Sequence, residues 1–122
     1  MTTIRSSSVR RGALAFVAVA ALVLSQATTA QAAVRVRATA SQTFRPKRLS
    51  ISTGTKVVWK STGGTHTVTA YSNNWSKNAT ISTGETTSFT FNDSGRYKYR
   101  CTIHSTLSGG VCSGMCGKVI VG

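Results

Sequence analysis

Tyr97 to Val121 reads Y-K-Y-R-C-T-I-H-S-T-L-S-G-G-V-C-S-G-M-C-G-K-V-I-V. It sets a thiol, an imidazole and a thioether (Cys101, His104 and Met115) between two runs of strand-forming residues, Phe89 to Arg100 and Lys118 to Val121. The only other imidazole, His66, stands upstream behind Gly63-Gly64. A chain that gathers its few metal-binding side chains at the ends of β-rich runs invites two questions: whether the rest is also β, and whether the distant histidine can return to the same point.

Working outward, helical periodicity is almost absent after Ala32. Val34, Val36 and Ala38 alternate with Arg35, Arg37 and Thr39, the period-two pattern of a half-buried strand. Pro46 separates Phe44 from a second alternating run containing Leu49 and Ile51, and Gly54 turns the chain into Lys56-Val57-Val58-Trp59-Lys60. Ser61 to Thr65 is a loop that delivers His66 to the start of Thr67-Val68-Thr69-Ala70-Tyr71. The polar segment from Ser72 to Asn78 is a surface excursion from which Trp75 packs back. Thr80-Ile81-Ser82, Thr87 to Phe91, Arg96 to Cys101 and Lys118 to Val121 follow, punctuated by Gly84-Glu85 and the turn signal Asp93-Ser94-Gly95. Seven to eight short strands without a βαβ signal predict an all-β sandwich or barrel.

The N-terminus follows different rules. Arg5, Arg10 and Arg11 precede an apolar run from Ala13 to Leu24, and Ala30-Gln31-Ala32 is a small-x-small cleavage signature, so residues 1–32 read as a secretory signal peptide. The run is shorter than the roughly 18 residues a membrane span needs. Whether export uses the general route or the twin-arginine route, for which Arg10-Arg11 would serve, is open. Residues 33–122 then form one domain, small enough to benefit from a metal or a disulfide.

Three of the 15 Lys and Arg fall in the leader and both acids, Glu85 and Asp93, in the remainder; twelve cations against two acids leave the domain at +10. Such a charge favours acidic partners or anionic surfaces. The cations are scattered and follow no nucleic-acid recognition pattern, which argues against that partner class.

A copper ion that alternates between two oxidation states needs donors acceptable to both: soft sulfur for Cu(I), imidazole nitrogen for Cu(II). His66, Cys101, His104 and Met115 supply such a set once. Cys101 and His104, at C-x2-H, reach one ion if the chain turns after its strand, and the Ser108-Gly109-Gly110 stretch can bend to bring Met115 back. Calcium, magnesium and manganese would want oxygen donors instead.

Phe44-x-Pro46, Gly54-Thr55-x-Val57-Val58-Trp59, His66-Thr67-Val68, Gly95-x-Tyr97-x-Tyr99-x-Cys101-x-x-His104 and Met115-x-Gly117-x-Val119-x-Val121 together resemble the plastocyanin/amicyanin-type cupredoxins, the small blue copper proteins. The resemblance implies a Greek-key β-sandwich with one type 1 copper at one end and a one-electron carrier function. It implies His66, Cys101, His104 and Met115 as the metal ligands, with His104 at the solvent edge and Thr67 bracing the ligand loop. The ten residues between His104 and Met115 depart from the short loop usual in the family.

Three cysteines in an oxidising compartment suggest one pair and one free thiol. A Cys112–Cys116 disulfide would pin the long loop and leave Cys101 for copper. A structural zinc site from Cys101, His104, Cys112 and Cys116 has the right number of ligands but gives His66 no role. Three functions follow. The first is an exported monomeric carrier, not an enzyme, that exchanges electrons with acidic redox partners, since four protein ligands leave no open position for substrate. The second is a copper storage or delivery protein using the Cys112-Met115-Cys116 loop. The third is a zinc-bound surface module.

Overall fold

The structure is a computed structural model that describes residue 12, residues 14–25 and residues 31–122. Arg5, Arg10 and Arg11 of the expected leader, and Ala30 of its cleavage signature, lie outside the described residues. Within residues 14–25 the large apolar side chains, Leu14 and Phe16 among them, are 80 to 91% exposed and join no element of the fold. No described helix is long and apolar enough to cross a membrane.

Nine strands follow: β1 (Val34–Ala38), β2 (Phe44–Arg45), β3 (Arg48–Ile51), β4 (Thr55–Ser61), β5 (His66–Ala70), β6 (Asn78–Ile81), β7 (Thr86–Phe91), β8 (Gly95–Ser108) and β9 (Val111–Val121). They form two mixed sheets, ordered β2-β1-β4-β7 and β3-β9-β8-β5-β6. β1 runs parallel to β4 and β3 parallel to β9, while the other pairs are antiparallel. The fold is therefore the expected all-β sandwich.

Period-two patterning does the sorting. On β4, Thr55, Val57, Trp59 and Ser61 face inward while Lys56 and Lys60 face water. On β8, Tyr97, Tyr99 and Cys101 are buried and Arg96, Lys98 and Arg100 lie on the opposite face. A one-residue slip of either strand would send charges into the core, which fixes the register. At the centre, Trp59 meets Tyr99 edge-on with ring centroids 5.3 Å apart, and Phe44 caps Tyr99 at 4.7 Å.

Trp75 packs back from its surface segment, as its isolation among polar residues suggested. Its ring lies 5.2 Å from Phe89 and 5.3 Å from Phe91, and its indole N–H donates to the Lys98 carbonyl at 3.2 Å. Trp75→Phe keeps most of this packing and removes the hydrogen bond; we expect a loss of about 1 kcal/mol in urea unfolding.

Two features differ from expectation. The count is nine strands, not seven to eight, because Phe44 and Arg45 pair with Ala38 and Arg37 in a two-residue ladder too short to show periodicity. The segment after His104 is also more regular than a flexible bend. β8 and β9 continue as a hairpin arm through Thr106↔Ser113, Leu107↔Cys112 and Ser108↔Val111. Gly109 and Gly110, with φ of 55° and 76°, close it as a two-residue turn of the kind that matches strand twist.

Candidate metal centre

The β8–β9 ladder is interrupted once. Pairing runs to Arg100↔Cys116 and resumes at Ser105↔Gly114, so that Cys101, Thr102, Ile103 and His104 stand opposite Met115 alone. Four residues against one make a large bulge, and bulges re-aim side chains. Cys101 keeps the inward direction of Tyr97 and Tyr99 and is fully buried, while His104, at the far end of the excursion, is half-buried. Met115, 1% exposed, fills the β9 position that faces them.

His66 arrives from the other side. β5 pairs with β8 at Thr69↔Arg100 and Ala70↔Tyr99, and running that register three residues further sets His66 beside the excursion. His66 is 1% exposed. The donor atoms of His66, Cys101 and His104 all lie within 4.8 Å of one another. The two Nδ1 atoms are 3.2 Å apart, and Cys101 Sγ is 3.4 Å from His104 Nδ1.

Neighbouring groups hold each donor in place. The Gly63 carbonyl, 2.7 Å from His66 Nε2, accepts its N–H and leaves the Nδ1 lone pair free for the centre. The Thr67 backbone N–H donates to Cys101 Sγ at 3.3 Å and orients it. Thr67 Oγ1 accepts from the Thr102 N–H at 2.8 Å, and Ser105 Oγ donates to the Cys101 carbonyl, so both ends of the excursion are tied. Thr67 is thus the brace it was expected to be. Thr102 and Ser105 are braces that sequence reasoning missed; a hydroxyl that follows a candidate metal-binding residue by one position is too common in this Ser/Thr-rich chain to stand out.

The arm bends the last donor inward. Cys112 and Cys116 are joined as a disulfide, their Cα atoms 6.2 Å apart. An extended strand would separate residues four apart by about 13 Å. The chain between them therefore folds back, and Gly114 makes this possible with φ of 96°. A Cβ at Gly114 would stand 2.5 Å from the His104 carbonyl oxygen. The disulfide also removes Cys112 and Cys116 as thiolates, so the four-ligand zinc arrangement that needs both does not fit this structure.

The donor set fits copper. Metal–nitrogen bonds of about 2.0–2.1 Å and metal–sulfur bonds of about 2.3 Å at near-tetrahedral angles separate two nitrogens by roughly 3.3 Å and nitrogen from sulfur by roughly 3.6 Å. The observed 3.2 and 3.4 Å lie close to both values, and the third edge, His66 to Cys101, is within 4.8 Å. Such lengths suit zinc as well, and it is the softness of the donors that favours copper. Two imidazoles, a thiolate and a facing thioether form the soft, mixed donor set of a blue copper site.

Comparison with known proteins agrees. The sequence matches the family described as "Cupredoxin-like domain" over residues 13–112. Comparison with curated proteins finds no match. Among solved structures, a reduced amicyanin variant superposes with a TM-score of 0.62 at 25% identity, over 79% of this chain and 88% of that one. A purple cupredoxin from Nitrosopumilus maritimus gives 0.57 at 20% identity, over 73% and 99%. A copper-containing nitrite reductase from Thermus scotoductus SA-01 gives 0.60 at 24% identity over 75% of this chain, which spans only 22% of that enzyme's length. The family match covers most of the sequence, and the chain belongs to the cupredoxin-like family.

Proposed function

We propose that the protein is an exported one-electron carrier with a single type 1 copper held by His66, Cys101, His104 and Met115. The observation that carries this reading is the convergence of His66, Cys101 and His104 within 4.8 Å, on strands that also set Met115 opposite them. When bound, copper supplies a centre that accepts and returns one electron. The chain's part is to hold the donors still. The three strands that carry them, β5, β8 and β9, belong to one sheet, and backbone groups hold the His66 ring and the Cys101 sulfur. Buried Cys101, His66 and Met115 keep water from the centre, while half-buried His104 offers an edge through which an electron can leave.

Carriage is favoured over storage or delivery because Cys112 and Cys116 are bonded to each other, which leaves no second pair of soft thiolates for a Cu(I) handoff. Export is supported by the leader pattern and by an apolar run whose large side chains are exposed among the described residues. The excess of cations suits partners with acidic docking surfaces, and the protein is read as a monomer.

The test is the visible spectrum of the protein with Cu(II) added, before and after ascorbate. We expect an intense thiolate-to-copper band that bleaches on reduction and returns in air. A colourless protein that binds zinc or Cu(I) tightly would sink the carrier reading. Met115→Leu should keep the band and raise the reduction potential, since a hydrocarbon in place of sulfur favours the less charged Cu(I). Loss of copper from that variant would show that Met115 is more than a weak donor.

A further inference from the structure

The outer face of the five-stranded sheet carries an arrangement that the copper centre does not use. Arg48 on β3 and Lys98 on β8 are each paired with Lys118 on β9. Three cations thus lie in one cross-strand row, and Arg100 follows two residues along β8. Like charges set directly opposite one another destabilise a sheet. Neither acid of the sequence relieves them: Glu85 accepts from the Ser82 N–H beside β7, and Asp93 sits in the turn before β8.

A cavity of about 380 Å³ opens beside this row, lined by Lys47, Arg48, Lys118, Tyr71 and the Cys112–Cys116 disulfide. Its volume falls within the range of small-molecule pockets. The Tyr71 phenol is pushed above its ordinary pKa by burial, against the opposing pull of Arg100, and so remains a neutral O–H donor. A concave site with three cations on its wall, a phenol donor and no acid suits a compact multivalent anion better than an extended acidic surface.

We propose that this pocket binds a soluble phosphate-class anion, with Arg48 and Lys118 as its principal contacts and Lys47 and Tyr71 completing the ring. The guanidinium offers paired N–H donors to two oxygens of one phosphate, and the ammonium groups neutralise the second charge. The site is independent of the copper reading, since none of its polar contacts is a proposed ligand.

The experiment is calorimetric titration of the copper-loaded protein with inorganic pyrophosphate at constant ionic strength. One-to-one saturable binding is expected, weakened about tenfold or more by Arg48→Gln or Lys118→Gln, retained in Lys118→Arg, and unchanged in Lys56→Gln, whose cation lies outward on the other sheet. The visible band of each variant reports that the fold and the copper centre survive. Absence of saturable binding would overturn the proposal, as would equal weakening by Lys56→Gln, which would reduce the effect to net charge. Binding of a Glu-rich peptide at Arg48 and Lys118, with none of pyrophosphate, would equally overturn it in favour of a protein partner.

Discussion

Cys101→Ser should abolish the intense visible band of the copper-loaded protein completely, the largest spectroscopic effect any single substitution here can produce. Charge transfer from thiolate to copper needs a thiolate, and Cys101 is the one free cysteine because Cys112 and Cys116 are joined. No second free thiol can take over. The substitution is otherwise mild. A serine hydroxyl is smaller than a thiol, still accepts from the Thr67 N–H, and leaves Tyr97 and Tyr99 in place on the same face of β8. The unfolding midpoint should therefore move little while the band vanishes, and copper that remains should show only the weak spectrum of nitrogen and oxygen ligation. A persistent band would mean that the disulfide opens to supply another thiolate, and the proposed ligand set would fall.

Gly114→Ala should cost about 2–3 kcal/mol of stability and weaken copper binding at least tenfold. Two causes add. A φ of 96° lies where an L side chain is strained, and the new methyl would meet the His104 carbonyl oxygen at 2.5 Å, so that the excursion carrying His104 must shift. Gly109→Ala is the internal comparison. Its φ of 55° is also positive, but its Cβ meets nothing within 4 Å, so only the conformational cost of about 1–2 kcal/mol remains. Urea unfolding and competitive copper titration of both variants separate the terms. Equal losses of copper affinity would show that Gly114 shapes the turn but does not seat His104.

The chain made most of its fold readable because its strands obey a strict alternation. Once Tyr97, Tyr99 and Cys101 point inward, Arg96, Lys98 and Arg100 must point out, and the sandwich follows. The three donors His66, Cys101 and His104 were legible for a different reason: they are the only imidazoles and one of only three thiols in the sequence, and the spacing around them is informative. What stayed hidden depends on pairing between residues far apart. The arm was missed because Gly109-Gly110 serves equally as a loose bend or a tight hairpin turn, and only the ladder from Ser105 to Val111 decides between them. Thr102 and Ser105 became braces through contacts with Thr67 and with the Cys101 carbonyl, both set by the bulge, which no local pattern announces.

That arm is also lashed back to the sheet it grows from. Cys112, beyond the base of the arm, has its Cα only 6.2 Å from that of Cys116, which pairs within the sheet at Arg100, so the hairpin cannot stand straight out along the strand axis. Ile103, Leu107 and Val111 remain exposed on the excursion and the arm. The hairpin thus behaves as a flap held shut by a clasp, and the clasp is the bond between Cys112 and Cys116.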